Sequence, residues 1–213
     1  MRGRIAVLIP SRGRPELLVH AIKSVEKTSK IADALVYIDD DQAGVYGLAE
    51  GPRLRIMCGP RIGPVASANA LVAACPEYDL YGLITDDSVI TTSGWDEWCT
   101  EVIEKLPNRI GVISPHHAHG NYVDMPFVTN KWIELAGWFA CPVAYHYVWP
   151  IITGLIGEMT AIVHAPQHKF HIEHGYDASA NQELRARDYE GFFEFVSRDL
   201  PSVVDVVREE MSR

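Results

Sequence analysis

Two acid-bearing stretches, Asp39-Asp40-Asp41 and Asp86-Asp87, each follow an apolar run, Ala34 to Ile38 and Leu80 to Ile84. Acids that converge on one crevice repel each other unless a cation or donor groups neutralise them. A Mg²⁺ or Mn²⁺ ion bridging a diphosphate does so, because hard cations take one or two carboxylates and draw their other ligands from phosphate and water. Capping a helix or turn is the competing role, more so for Asp39 to Asp41 than for the Asp86-Asp87 pair. Arg12, Arg14 and Arg61 stand in neighbouring loops. A guanidinium fork matches two diphosphate oxygens at once, although ordinary surface charge also accounts for such arginines.

Histidines gather twice, as His116, His117 and His119 and as His164, His168, His171 and His174. Zinc needs three or four fixed nitrogen or sulfur ligands. Neither group has a zinc spacing or the Glu of a zinc-protease motif. The cysteines Cys58, Cys75, Cys99 and Cys141 form no C-x-x-C pair and read as buried free thiols. Trp132, Trp138, Phe139, Tyr145, Tyr147 and Trp149 suit a platform for a sugar or base, or simple core packing.

The elements that must position these residues alternate. Ile5 to Ile9 is a continuous apolar run ended by Pro10, the pattern of a strand buried on both faces of a parallel sheet. Pro15 opens a helix over Glu16 to Thr28, with Leu17, Leu18, Ala21, Ile22 and Val25 at helical spacing. Ala34 to Ile38 is a second strand, Leu54 to Met57 a third, and Leu80 to Ile84 a fourth. An alanine-rich helix, Val65 to Ala74, carries Asn69 between the last two. Ser93 suits the cap of a helix from Gly94 to about Leu106, and Ile110 to Ser114 is a fifth strand. Strand, helix and strand in that order imply a right-handed βαβ unit, whose ligands collect at the carboxyl ends of the strands. Ser11-Arg12-Gly13-Arg14 and the Asp39 cluster then share one edge. Beyond Pro115 the alternation weakens: a helix near Asn130 to Ala136, an aromatic stretch to Pro150, a helix or strand to Val163, and a helical tail from Asn181 to Met211.

A chain of 213 residues, 47% hydrophobic and 22% charged, supplies one sizeable core and suggests one domain. It holds no run of about 18 apolar residues to span a membrane and no leader at its start, so a cytoplasmic protein is expected. The net charge of −9 argues against a broad basic face for nucleic acid, while Arg53, Arg55, Arg61 or Lys169 could still form a local track.

The opening Ile5 to Pro15, with its Ile-Pro-Ser-Arg-Gly-Arg-Pro ending and following helix, resembles family 2 glycosyltransferases of the GT-A fold. Val36 to Gln42 resembles the family's strand ending in base-contacting acids. Gly63 to Asn69 resembles its glycine-to-asparagine helix start, and Leu83 to Ser88 its metal-binding Asp-x-Asp. Gly94-Trp95, the Leu135 to Phe139 turn and Ile172-Glu173-His174 match more loosely. The resemblance implies an α/β, Rossmann-like fold with a mostly parallel central sheet flanked by helices. Within one domain, 1–213, residues 1–90 would hold nucleotide-sugar and metal, and 91–213 the acceptor. It further implies a nucleoside-diphosphate sugar donor, UDP-sugar favoured, and a divalent metal, Mn²⁺ or Mg²⁺. Pro10, Ser11, Arg12, Arg14, Asp39, Asp40, Arg61, Gly63, Asn69 and Asp86 would meet the nucleotide, with Asp87 and His174 on the metal. Short soluble members, including phage-type ones, make a saccharide or a hydroxymethylated DNA base the expected acceptor.

The chain departs from the pattern twice. Thr85 replaces the first Asp of the metal motif, and no carboxylate stands in His146 to Pro150, where inverting members carry their base. Inverting transfer needs a base within reach of the acceptor hydroxyl, which leaves Asp124, His146 and Glu158 as candidates. A nucleotidyltransferase is the alternative enzyme, although Ser11-Arg12-Gly13-Arg14 lacks its glycine-rich loop. A non-catalytic sugar-nucleotide or glycan-binding module is the alternative without turnover.

Overall fold

The computed structural model describes residues 3–117, 123, 125–172 and 182–213. The strands are β1 (Ile5–Ser11), β2 (Ala32–Asp39), β3 (Leu54–Gly59), β4 (Leu80–Leu83), β5 (Ser88–Ile90), β6 (Val112–His117), β7 (Phe127–Thr129) and β8 (Ile162–Ile172). They form one sheet in the order β3-β2-β1-β4-β7-β6-β8-β5. The β1–β2, β2–β3, β1–β4 and β6–β8 pairs are parallel, and β7 and β5 run antiparallel to their neighbours. The helices are α1 (Pro15–Thr28), α2 (Ala43–Tyr46), α3 (Pro64–Ala74), α4 (Trp95–Ile103), α5 (Asn130–Ala136), α6 (Trp149–Met159), α7 (Gln182–Arg198) and α8 (Leu200–Ser212). This is the expected α/β arrangement of a mostly parallel central sheet flanked by helices.

Strand pleating sends alternate side chains to opposite faces. In β1, Ile5, Val7 and Ile9 join the core beneath α1 and α4, while Ala6 and Leu8 join the core shared with α3, α5, α6 and α8. Both faces are covered, which is why β1 is apolar at every position from Ile5 to Ile9.

Several expectations are corrected. Gly94, at φ +76, precedes α4 in place of a Ser93 cap, and no side chain caps that end. The fifth expected strand begins two residues later and continues through His117. The region from Trp149 to Ile172 divides into α6 and the eleven-residue β8. The tail is two helices, with Pro201 in the first turn of the second. Cys58 is exposed, whereas Cys75, Cys99 and Cys141 are buried free thiols. Among the described residues no helix is long and apolar enough to cross a membrane.

Candidate functional site

Parallel pairing of β1 with β2 and β4 brings three strand ends to one edge: Ser11, Asp39 and the turn after Leu83. The helices that follow β1 and β3 begin at this same edge, with Arg14 and Gly63 at their N-caps. Helix starts present unpaired N–H groups and favour anions.

Ser11 is buried and its hydroxyl donates to Asp86 Oδ2 at 2.7 Å. With that proton committed, the Tyr46 hydroxyl at 3.0 Å donates to Ser11 Oγ and itself accepts the Arg14 backbone N–H at 3.4 Å. Arg14 also spans both acids after β4. Its Nη1 donates to Asp87 Oδ2 at 3.0 Å, and its Nη2 lies 2.8 Å from Asp86 Oδ1. The second contact is an ion pair by distance whose N–H direction misses the oxygen, so buried Asp86 Oδ1 has no hydrogen bond. Burial pushes the Asp86 carboxyl up to about 6, against the opposing pull of Arg14 and the Ser11 hydrogen bond.

Arg12 serves the β2 acids. Its Nη1 donates to Asp39 Oδ2 at 2.8 Å and, with Nη2, holds Asp41 in a two-point contact at 2.6 and 2.7 Å. These hydrogen bonds hold Asp41 below the ordinary carboxylate range, with the charges of Arg12 and Arg61 adding to the effect. Asp40 is exposed, and Asp41 is the acid that the short 3₁₀ turn Asp40–Gln42 delivers to Arg12. Arg61 is exposed, and among the described residues no hydrogen bond or ion pair holds its guanidinium. Of the three arginines it is the one whose fork is uncommitted.

At the start of α3, Gly63 has φ +84, and the Tyr145 ring lies so close that a Cβ there would sit 2.5 Å from it. Asn69 spends its amide on the chain beyond α5, donating to Ala140 O at 2.8 Å and accepting the Phe139 and Ala140 N–H groups at 2.9 and 3.0 Å. That places Asn69 as a backbone clamp in this structure. His146 stacks on Tyr147 with centroids 4.5 Å apart, and Arg185 of α7 lies 4.9 Å from the Tyr147 ring. Trp132, Phe139 and Trp149 are buried and pack in the core.

The structure does not bring Glu158 to this edge. Glu158 pairs with His164 at 2.9 Å near the start of β8, whereas Ile172, at the other end of β8, pairs with Ser88 beside the acids. Eight residue steps separate His164 from Ile172, about 26 Å at the usual rise. Asp124 and His174 lie outside the described residues, as does His119. The two histidine groups fall on neighbouring strands, with Ser114 beside His164 and His116 beside Lys169. Among the described residues no group of three or more His, Cys, Asp or Glu could hold a metal.

Sequence reasoning missed Tyr46 and Asp188. Asp188 accepts three backbone N–H groups, from Tyr145, His146 and Tyr147. A signal for it exists: Leu184, Asp188, Phe192 and Phe195 recur at helical spacing, so an acid stands in the apolar stripe of α7.

No protein-family model and no curated protein sequence matches the chain. Among solved structures it is similar to that of S. aureus TarS 1-349, a family 2 glycosyltransferase, at a TM-score of 0.61 and 10% identity, covering 92% of this chain and 73% of that one. At that identity the likeness is one of fold, and the fold the chain shares is that of a glycosyltransferase.

Proposed function

We propose that the protein is a metal-dependent glycosyltransferase that moves a sugar from a nucleoside-diphosphate donor, UDP-sugar first, to an acceptor hydroxyl with inversion. One observation carries the reading: Asp39, Asp41, Asp86 and Asp87 meet Arg12 and Arg14 at the carboxyl edge of β1, β2 and β4. In an open α/β sheet this is the edge where nucleotides bind.

Asp86 and Asp87 fit a divalent cation, since Asp86 Oδ1 is buried without a hydrogen bond and two carboxylates are the protein share such ions use. The ion, Mn²⁺ or Mg²⁺, supplies charge neutralisation for the departing nucleoside diphosphate. Asp39, at the end of β2, would meet the base, and Arg61 would take a phosphate oxygen pair. Pro10, Ser11 and Gly63 shape the floor, and His174 would complete the metal shell. His146, next in sequence to the Tyr145 that packs at the start of α3, would accept the acceptor hydroxyl proton.

A saccharide is the favoured acceptor, because a net charge of −9 opposes approach of a DNA strand carrying a modified base. Release of nucleoside diphosphate from UDP-, GDP-, ADP- and TDP-sugars with Mn²⁺ tests the reading. His146→Ala is expected to slow release to acceptor about 10²- to 10⁴-fold, the usual reach of a general base. Unchanged turnover in that variant removes His146 from the role. Donor binding without any turnover in the parent protein supports instead the non-catalytic module, which Thr85, bonded to Ser88 in place of an acid, would suit.

A further inference from the structure

The side chain of Asp188 is 1% exposed, deep enough that a carboxylate is costly unless every lone pair is engaged. Among the described residues no cation pairs with it. Its partners are three successive backbone N–H groups: Tyr145 donates to Oδ1 at 2.8 Å, and His146 and Tyr147 donate to Oδ2 at 2.8 and 2.7 Å. Successive N–H groups turned toward one anion make a cradle that holds only one backbone shape. Gly191, one turn further along α7, lets the helix close on the same segment, because a Cβ there would sit 2.9 Å from Val143 O.

The segment 139–147 is therefore fastened at both ends by side chains that bind main chain. Asn69 of α3 grips Phe139 and Ala140 from the donor half, and Asp188 of α7 grips 145–147 from the far end of the sequence. Between them, the Tyr145 ring rests on Gly63 and the Val65 N–H reaches Tyr145 O at 3.5 Å. Buried charge is a poor device for stability alone, since an apolar side chain of similar volume often serves as well. What a carboxylate adds here is a fixed direction for three peptide planes, and the middle one belongs to His146.

We infer that Asp188 is a positioning residue of the acceptor side: it fixes the backbone of 145–147 so that His146 keeps one place beside the start of α3. The inference rests on the transfer reaction proposed above, and it makes Asp188 an aid to the proton transfer without contact with either substrate. Both of its oxygens accept from backbone N–H groups.

Asp188→Asn keeps the shape but turns an NH₂ group toward backbone N–H donors. It is expected to lower kcat about 10- to 100-fold through misplacement of His146, with the donor KM within twofold of the parent. Adding Asp188→Asn to His146→Ala is expected to cost nothing further, since Asp188 acts only through His146, and Asp188→Glu, which keeps the carboxylate, is expected to recover part of kcat. A donor KM that rises with the fall in kcat, or losses that multiply in the double variant, would overturn the inference. Amide hydrogen exchange decides the matter even if the transferase reading itself fails, which absence of nucleotide release by the parent protein would show. Exchange at 145–147 is expected to quicken about tenfold or more in Asp188→Asn with 139–140 unchanged. Equal quickening along the whole segment, or none, would refute the positioning role.

Discussion

Burial moves the Asp86 carboxyl from its ordinary 3.8 to about 6, and the consequence for stability has a definite sign. Between those values the folded chain binds more protons than the unfolded one, so this group's contribution is full below about pH 4 and lost as pH rises through about 6. A displacement of that size corresponds to about 3 kcal/mol. Asp86→Asn cannot ionise, so urea melts from pH 4 to 7 are expected to show the parent losing up to about 3 kcal/mol relative to the variant; parallel profiles would contradict the role of burial. Arg61 makes the opposite case, an exposed cation whose guanidinium no hydrogen bond or ion pair holds among the described residues. Arg61→Ala should leave stability within about 0.5 kcal/mol while weakening nucleoside diphosphate binding about tenfold or more, the worth of a charge-assisted hydrogen bond. Calorimetric titration with UDP measures the second effect. Ser11, Arg12, Arg14, Asp39, Asp86 and Asp87 could be picked out in the sequence because each follows an apolar strand run. Tyr46 could not, since its partner Ser11 lies 35 residues away and nothing local marks the pairing.

Among the elements, β1, β2 and β4 announce themselves as apolar runs because both faces are covered. By contrast β5 and β7 have three residues each and exist because β8, β4 and β6 offer them a ladder. Chemistry also hides β8: it contains Pro166, which cannot donate to a ladder, and its pairing with β6 jumps from Ala165 to Lys169 across that point. At the start of α3, Gly63 answers two demands at once, a positive φ of +84 and contact with the Tyr145 ring. Gly63→Ala is expected to destabilise by about 1–3 kcal/mol through strain alone, and more if Tyr145 is displaced; a thermal midpoint equal to the parent's would show that the ring moves aside freely. In the core, Leu8, fully buried beneath α3, is expected to cost about 2–5 kcal/mol when cut to Ala, and a smaller loss in a chemical melt would mean that the α3 face collapses into the gap.

For the whole molecule, the sheet order β3-β2-β1-β4-β7-β6-β8-β5 sets the strands that lead to Ser11, Asp39 and the Asp86-Asp87 turn side by side, while the segment 139–147 is held to α3 by Asn69. Asn69 ties that segment to the first half and Asp188 ties it to α7 within the second, and neither tie is visible in a local window of sequence. In the crevice Arg12 and Arg14 already face four acids, Asp39, Asp41, Asp86 and Asp87, so an incoming diphosphate must bring a cation or win an arginine. Asp87 and its neighbours are proposed to hold a sugar nucleotide through a divalent ion, and everything said of donor and acceptor depends on that. The decisive experiment is a thermal-shift screen of UDP-, GDP-, ADP- and TDP-sugars with and without Mn²⁺, on the parent protein and on Asp87→Ala. A donor at a hundred times its dissociation constant should add about 2.7 kcal/mol of stability to the parent, only with Mn²⁺, and nothing to the variant; absence of a shift with every donor, or a shift that survives Asp87→Ala, would contradict the proposed site.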